Sequence, residues 1–201
     1  MTGWELPKEA VIGGNTYGLH TDYRDILEIF SWLQKEDLPE FLRWQVALAL
    51  FYEPELPKED FREGAEYFRW FVCCGQEEQA DPGPQLLSWE QDAQVIVADV
   101  NKVAGREIRE LPYLHWWTFL GWFHSIGEGN LSTLVSIRDK LRRGKKLESH
   151  EQEYYRRNKS QVNLRKNTPP ANWRNRNDCR NCWVKQASIC DRRRCICTWA
   201  F

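Results

Sequence analysis

The thirteen residues from Leu111 to Phe123 carry six aromatic rings and a histidine, and they constrain the fold more than any other stretch. Read as a helix over about Tyr113 to Ile126, the segment is apolar nearly all round. Such a helix cannot lie on a solvated surface. It is either the centre of a core or a face that another protein covers, with His115, Trp116, Trp117, Phe119, Trp122 and Phe123 as its core or partner-binding side chains. A chain of 201 residues with 42% hydrophobic content has apolar surface enough for its own core. No catalytic constellation accompanies the segment, so the residues point to an interaction protein and not to an enzyme.

The rest of the chain reads as mainly α. Residues 9–20 predict a β-hairpin, with Val11, Tyr17 and Leu19 as strand formers and Gly13-Gly14-Asn15 as turn residues. Thr21 is the expected cap of a helix carrying Ile26, Leu27, Ile29, Phe30 and Leu33 near a 3.6-residue period. Asp37 and Glu40 have capping-box spacing around Pro39, opening a helix to Tyr52 whose apolar face is Leu42, Val46, Ala49 and Leu50. A third helix is expected from about Lys58 to Cys74, using Phe61, Ala65, Phe68, Trp70, Phe71 and Val72 and ended by Gly75. Residues 76–87, with Pro82-Gly83-Pro84, read as a linker. Ser88 and Gln91 predict a capping box on a helix that Gly105 ends. Asn130 is the expected cap of a helix over 131–142, and Ser149 of a short one to Lys159. The expectation is a helical domain of about six helices over residues 1–165. An irregular, disordered basic tail with clustered cysteines is expected over 166–201.

Charge divides the chain. Residues 1–100 hold 7 Lys+Arg against 20 Asp+Glu, a net of −13, while residues 101–201 hold 21 against 9, a net of +12. Either the halves pack on each other within one chain, or the acidic half of one copy meets the basic half of another, head to tail. No signal peptide and no apolar run of membrane-spanning length is visible, which predicts a cytosolic protein with reduced thiols.

The candidate chemistry is sparse. His20, His115, His124 and His150 are the only histidines, and none has metal-binding or catalytic spacing. His115 reads as a satisfied core histidine. On one helix His115 and His124, nine residues apart, would point to opposite faces. The pairs Glu36-Asp37, Glu59-Asp60 and Glu77-Glu78 read as helix-start or loop carboxylates. Cys179-x-x-Cys182 has the spacing of half a zinc knuckle, but Cys190 and Cys195 are poorly spaced to complete it. No metal or other cofactor is therefore assigned. Redox use, an unstructured end and an appended foreign reading frame stand as alternatives for this segment. The basic stretch 138–146 could hold phosphates, yet it reads more simply as a solvated helix end, so nucleic acid is not assigned as a partner.

Five segments carry a resemblance: Thr21-Asp22-Tyr23-Arg24-Asp25-Ile26-Leu27; Tyr67-Phe68-Arg69-Trp70-Phe71; the acid-flanked stretch from Asp92 to Asp99; Leu114-His115-Trp116-Trp117-Thr118-Phe119; and Val135-Ser136-Ile137-Arg138. In this order, over about residues 5 to 165, they resemble the phage "gene product fifteen" family, encoded in the tail region of long-tailed phages and prophages of Gram-positive bacteria. The Cys-rich end departs from the family pattern. The resemblance implies a small, mainly helical, non-enzymatic protein. It implies a tail assembly chaperone for the tape-measure protein, with the tail tube protein as a further partner, acting in the bacterial host cytoplasm during phage assembly. A structural tail or connector component of the virion is the alternative role, and a small zinc-dependent nucleic-acid-binding protein is the second.

Overall fold

Gly13 and Gly14, at φ 56° and 80°, reverse the chain in the first hairpin of the computed structural model, which describes residues 4–76 and 84–165. Two successive left-handed residues make the tight turn that suits twisted strands, and glycine adopts it without steric cost. Strands β1 (Glu9–Ile12) and β2 (Asn15–Leu19) pair antiparallel with Ile12 opposite Asn15, so Asn15 belongs to the strand and not to the turn. Ala10, Ile12 and Tyr17 face inward, while Glu9 and Val11 face solvent. A third strand, β3 (Tyr52–Glu53), joins β2 on its other edge, with Leu19 opposite Tyr52. Two residues are too few to display a period of two, so the sequence carries no sign of it.

Among the described residues eight α-helices follow this sheet or interrupt it, against about six expected: α1 (Tyr23–Leu33), α2 (Glu40–Phe51), α3 (Phe61–Val72), α4 (Ala93–Ala104), α5 (Trp116–His124), α6 (Asn130–Arg142), α7 (Ser149–Arg157) and the single turn α8 (Lys159–Val162). The mainly helical class and the N-terminal hairpin are as expected. Helices α2 and α3 pack with the sheet, α1 packs on α2, α5 meets α1 and α4, and α6 joins α4 to α7 and α8. None of these helices is long and apolar enough to cross a membrane.

The helix ends depart from expectation more than the helices do. Asp22, not Thr21, caps α1 by accepting the Arg24 N–H. The Asp37/Glu40 box does not form, and α2 starts at Glu40 with no side-chain cap. Its buried residues are Ala47, Leu48 and Phe51. The expected face of Leu42, Val46, Ala49 and Leu50 is displaced because α2 has apolar residues on every side, so periodicity singles out no face. A 3-10 turn takes Lys58–Asp60, and α3 stops at Val72. Ser88 does accept the Gln91 N–H, but the Asp92 carboxylate, not Gln91, takes the Ser88 N–H, and α4 begins only at Ala93. Leu86 and Leu87 are buried, so the end of the expected linker belongs to the core. Gly129 and Glu148 replace Asn130 and Ser149 at the starts of α6 and α7.

Helices α6, α7 and α8 enclose a small second core of Leu134, Ile137, Leu147 and Val162, flanked by Tyr154 and Tyr155. One buried ion pair ties this unit to the rest. Arg138, expected to be part of a solvated basic end, is 5% exposed, and its partner Asp92 is 0% exposed. Its Nη1 and Nη2 donate to Asp92 Oδ2 and Oδ1 at 2.6 and 2.8 Å. The remaining N–H groups donate to the carbonyls of Leu86, Gln161 and Val162. All five guanidinium donors thus have acceptors, which is the condition for keeping such a charge out of water. Gln91 adds amide contacts to the carbonyls of Ser160, Gln161 and Asn163.

Asp99, 2% exposed, does the second job. Its Oδ2 accepts the Leu131 N–H at 2.8 Å, so α4 supplies the carboxylate at the N-terminus of α6. A Cβ on Gly129 would lie 2.8 Å from that oxygen, so only glycine fits there. Removing one partner of the buried pair, as in Arg138→Met, strands Asp92 as an uncompensated charge and should lower unfolding free energy by about 3–5 kcal/mol. The double variant Asp92→Leu with Arg138→Met should recover a substantial part of that loss in urea unfolding.

Candidate interaction surface around the aromatic helix

Helix α5 begins at Trp116 and not at Tyr113, because the chain before it is held extended. Asp22 and His115 form an antiparallel bridge, with the Tyr23 N–H donating to the Leu114 carbonyl and the Trp116 N–H to that of Thr21. The starts of α1 and α5 are therefore clasped side by side. Asp22 serves both, since its second carboxylate oxygen accepts the Leu114 N–H at 2.9 Å. Arg24 pairs with Asp22 and donates from Nη2 to the Leu111 carbonyl at 2.6 Å. Thr21, the expected cap, instead bonds the Tyr113 hydroxyl at 2.6 Å.

His115 is the N-cap of α5. Its Nδ1 accepts the Trp117 N–H at 3.0 Å, and its Nε2 lies 3.0 Å from the Pro7 carbonyl. The acceptor role of Nδ1 puts the proton of the neutral ring on Nε2, which then donates to Pro7. Both ring nitrogens are satisfied in a residue 2% exposed, as expected of a core histidine. Burial pushes its pKa below the ordinary histidine value. Because His115 precedes the helix, the opposite-face argument for His115 and His124 does not apply to it.

The two consecutive indoles have a specific use. Trp116 Nε1 donates to the Val72 carbonyl at 3.0 Å, and Trp117 Nε1 donates to that of Phe71 at 2.8 Å. Those carbonyls lie in the last turn of α3, beyond its regular i+4 bonds, and that of Phe71 also accepts the Cys74 N–H at 3.0 Å. The aromatic helix thus satisfies the C-terminus of its neighbour while burying its rings, the combination tryptophan suits. Trp116, Phe119 and Phe123 are buried. Tyr23 stacks on Phe119 with centroids 4.7 Å apart, and Trp89 contacts Trp116, Phe119 and Phe123 at 5.9, 6.2 and 5.1 Å. Trp89 had no assigned role in the sequence, since it precedes its helix and belongs to no period. Trp117 and Trp122 are half-buried.

The chain's own core therefore covers most of the candidate face. What lies open is adjacent. Trp4 is 96% exposed, Leu6 46% and Tyr113 46%. Leu6 precedes the residue whose carbonyl meets His115, and Tyr113 stands two residues before it, so Leu6 and Tyr113 rim the start of α5, with Trp4 two residues before Leu6 in the chain. Trp4 and Leu6 stand outside every periodic segment, and only their lack of a buried face could have marked them.

The other sequence candidates are dispersed. His20 lies 3.8 Å from Glu53 and His150 3.6 Å from Glu148, both at the surface. Cys73 and Cys74 follow α3, and burial raises the Cys74 thiol to about 12. Among the described residues no group of three or more His, Cys, Asp or Glu could hold a metal ion. Glu77-Glu78, Cys179, Cys182, Cys190 and Cys195 lie outside the described residues.

Protonating His115 would remove the acceptor at the start of α5. The folded pKa is depressed, so its contribution is fully present above about pH 6.5 and is lost as pH falls toward the folded value. Replacing it as His115→Asn keeps a capping oxygen without the titration. Urea midpoints measured between about pH 7 and pH 5 should fall less steeply for this variant than for the parent.

Residues 5–164 match the family model described as Bacteriophage Gp15 protein. No curated protein and no solved structure matches the chain.

Proposed function

Because this chain belongs to the bacteriophage Gp15 protein family, we propose that it is a non-enzymatic tail assembly chaperone, which binds the phage tape-measure protein in the host cytoplasm while the tail tube assembles. The observation that carries client binding is the exposed apolar rim of Leu6 and Tyr113, with exposed Trp4 close by in the chain, at a helix whose own rings are engaged inside the chain. Exposed aromatic and aliphatic side chains of this kind anchor protein contacts. A tape-measure protein read as a long amphipathic helix offers the matching apolar stripe, in the manner of a helix laid on an apolar surface. Family context supports the choice of client.

This reading departs from the aromatic helix itself as the binding groove. Trp116, Phe119 and Phe123 could leave the core only with loss of the ring contacts to Tyr23 and Trp89. Half-buried Trp117 is tied to α3 through its indole N–H. The rim needs no such rearrangement.

Co-expression of the full chain with the tape-measure protein of the same phage, followed by pull-down, tests the proposal. The two should co-purify. The surface variant Trp4→Ser with Leu6→Ser should reduce recovery of the client several-fold without changing the melting temperature. A client that is equally soluble alone and does not co-purify would overturn the reading. So would detection of this chain as a stoichiometric part of purified virions, which would make it a structural tail component.

A further inference from the structure

Among the described residues, the most acidic and the most basic parts of this chain do not pair with each other. Residues 4–76 hold 7 Lys+Arg and 14 Asp+Glu, a net of −7, whereas residues 130–165 hold 10 and 4, a net of +6. The first set forms the sheet and α1–α3. The second forms α6–α8, and the packing reaches it from α1 through α5 and α4. Among the described residues no ion pair joins the two sets. The one buried pair that spans the charge divide, Asp92 with Arg138, uses a carboxylate from neither set.

Each set also presents an apolar side chain at a charged corner. At the start of α2, Phe41 is 64% exposed and follows Glu36, Asp37 and Glu40, all at the surface. None of the three carboxylates makes an ion pair among the described residues, and the nearby cation Lys35 is held over the Trp32 ring at 3.1 Å. At the end of α6, Leu141 is 38% exposed and precedes Arg142, Lys145 and Lys146. Arg142 and Arg143 share Asp139, while Lys145 and Lys146 pair with no carboxylate among the described residues.

We propose that the Phe41 corner of one copy docks on the Leu141 corner of a second copy of this chain, with Glu36, Asp37 and Glu40 opposite Arg142, Lys145 and Lys146. The contact is heterologous: it joins different surfaces, so a docked pair still offers one free acidic corner and one free basic corner. Such a contact propagates into a ring or a filament and does not stop at a symmetric dimer. An apolar contact ringed by complementary charge gives both orientation and attraction. This association goes beyond the client reading and does not depend on it, since it requires no tape-measure protein.

Sedimentation velocity of the purified full chain, without client, tests the proposal. Species larger than a monomer should form with rising concentration and weaken as salt is raised from about 0.01 M to about 1 M, because screening shortens from roughly 30 Å to roughly 3 Å. Acid reversal, Glu36→Lys with Asp37→Lys, and base reversal, Lys145→Glu with Lys146→Glu, should each weaken self-association by roughly tenfold or more. All four sites are exposed, and circular dichroism should show unchanged helix content. Mixing the two variants should restore assembly, because each then offers the other a complementary end at both junctions. The substitution Phe41→Ser should weaken assembly while leaving its salt dependence in place. A chain that stays monomeric at low salt would overturn the proposal. Assembly indifferent to both reversals, or reversals that fail to complement on mixing, would do the same.

Discussion

The Asp92–Arg138 pair is the constraint on which the arrangement of the C-terminal third depends. A guanidinium this deeply buried is tolerable only when its charge is matched and each of its five N–H groups is taken. Meeting that condition requires Asp92 at the start of α4, the Leu86 carbonyl just before it, and the carbonyls of Gln161 and Val162 at the end of α8. Three separate stretches of chain must therefore arrive together. The second core is small, with four buried apolar side chains, and the ion pair supplies the directionality that so few apolar contacts lack.

The same logic recurs at the other locks. Asp99 reaches across to the Leu131 N–H, Asp22 serves both α1 and the chain before α5, and two indoles of α5 close the end of α3. In each case one element satisfies the exposed backbone groups of another. The segments that carry the family resemblance are largely these lock residues: Thr21-Asp22-Tyr23-Arg24, the stretch to Phe71, Asp92 and Asp99, His115-Trp116-Trp117, and Arg138. Their chemistry is that of a scaffold. This shifts the search for partner contacts to the side chains that the locks leave outside, among them Trp4, Leu6 and Phe41.

Helix positions were legible because periodicity and glycine punctuation are local. Gly105 ends α4 in the left-handed conformation as its sequence context suggests, and the hairpin turn follows from Gly13-Gly14. The faces of α1 and α3 were legible for the same reason, since Ile26, Ile29, Phe30, Phe68 and Phe71 all fall inward. The face of α2 was not, because its apolar residues surround it. The aromatic segment announced its burial but not its donors. No pattern in Leu111–Phe123 says that two indole N–H groups will meet carbonyls more than forty residues earlier.

From sequence alone came the helical class, the hairpin, the burial of the tryptophan-rich segment and the division of charge, all properties of neighbouring residues or of simple composition. Tertiary structure alone decided which carboxylate caps which helix, and that Arg138 is an internal strut while Lys145 and Lys146 remain in water. Those outcomes turn on hydrogen-bond geometry between distant segments. A buried polar group takes whichever partner the fold brings within about 3 Å, and proximity of that kind is not written in any window of the chain.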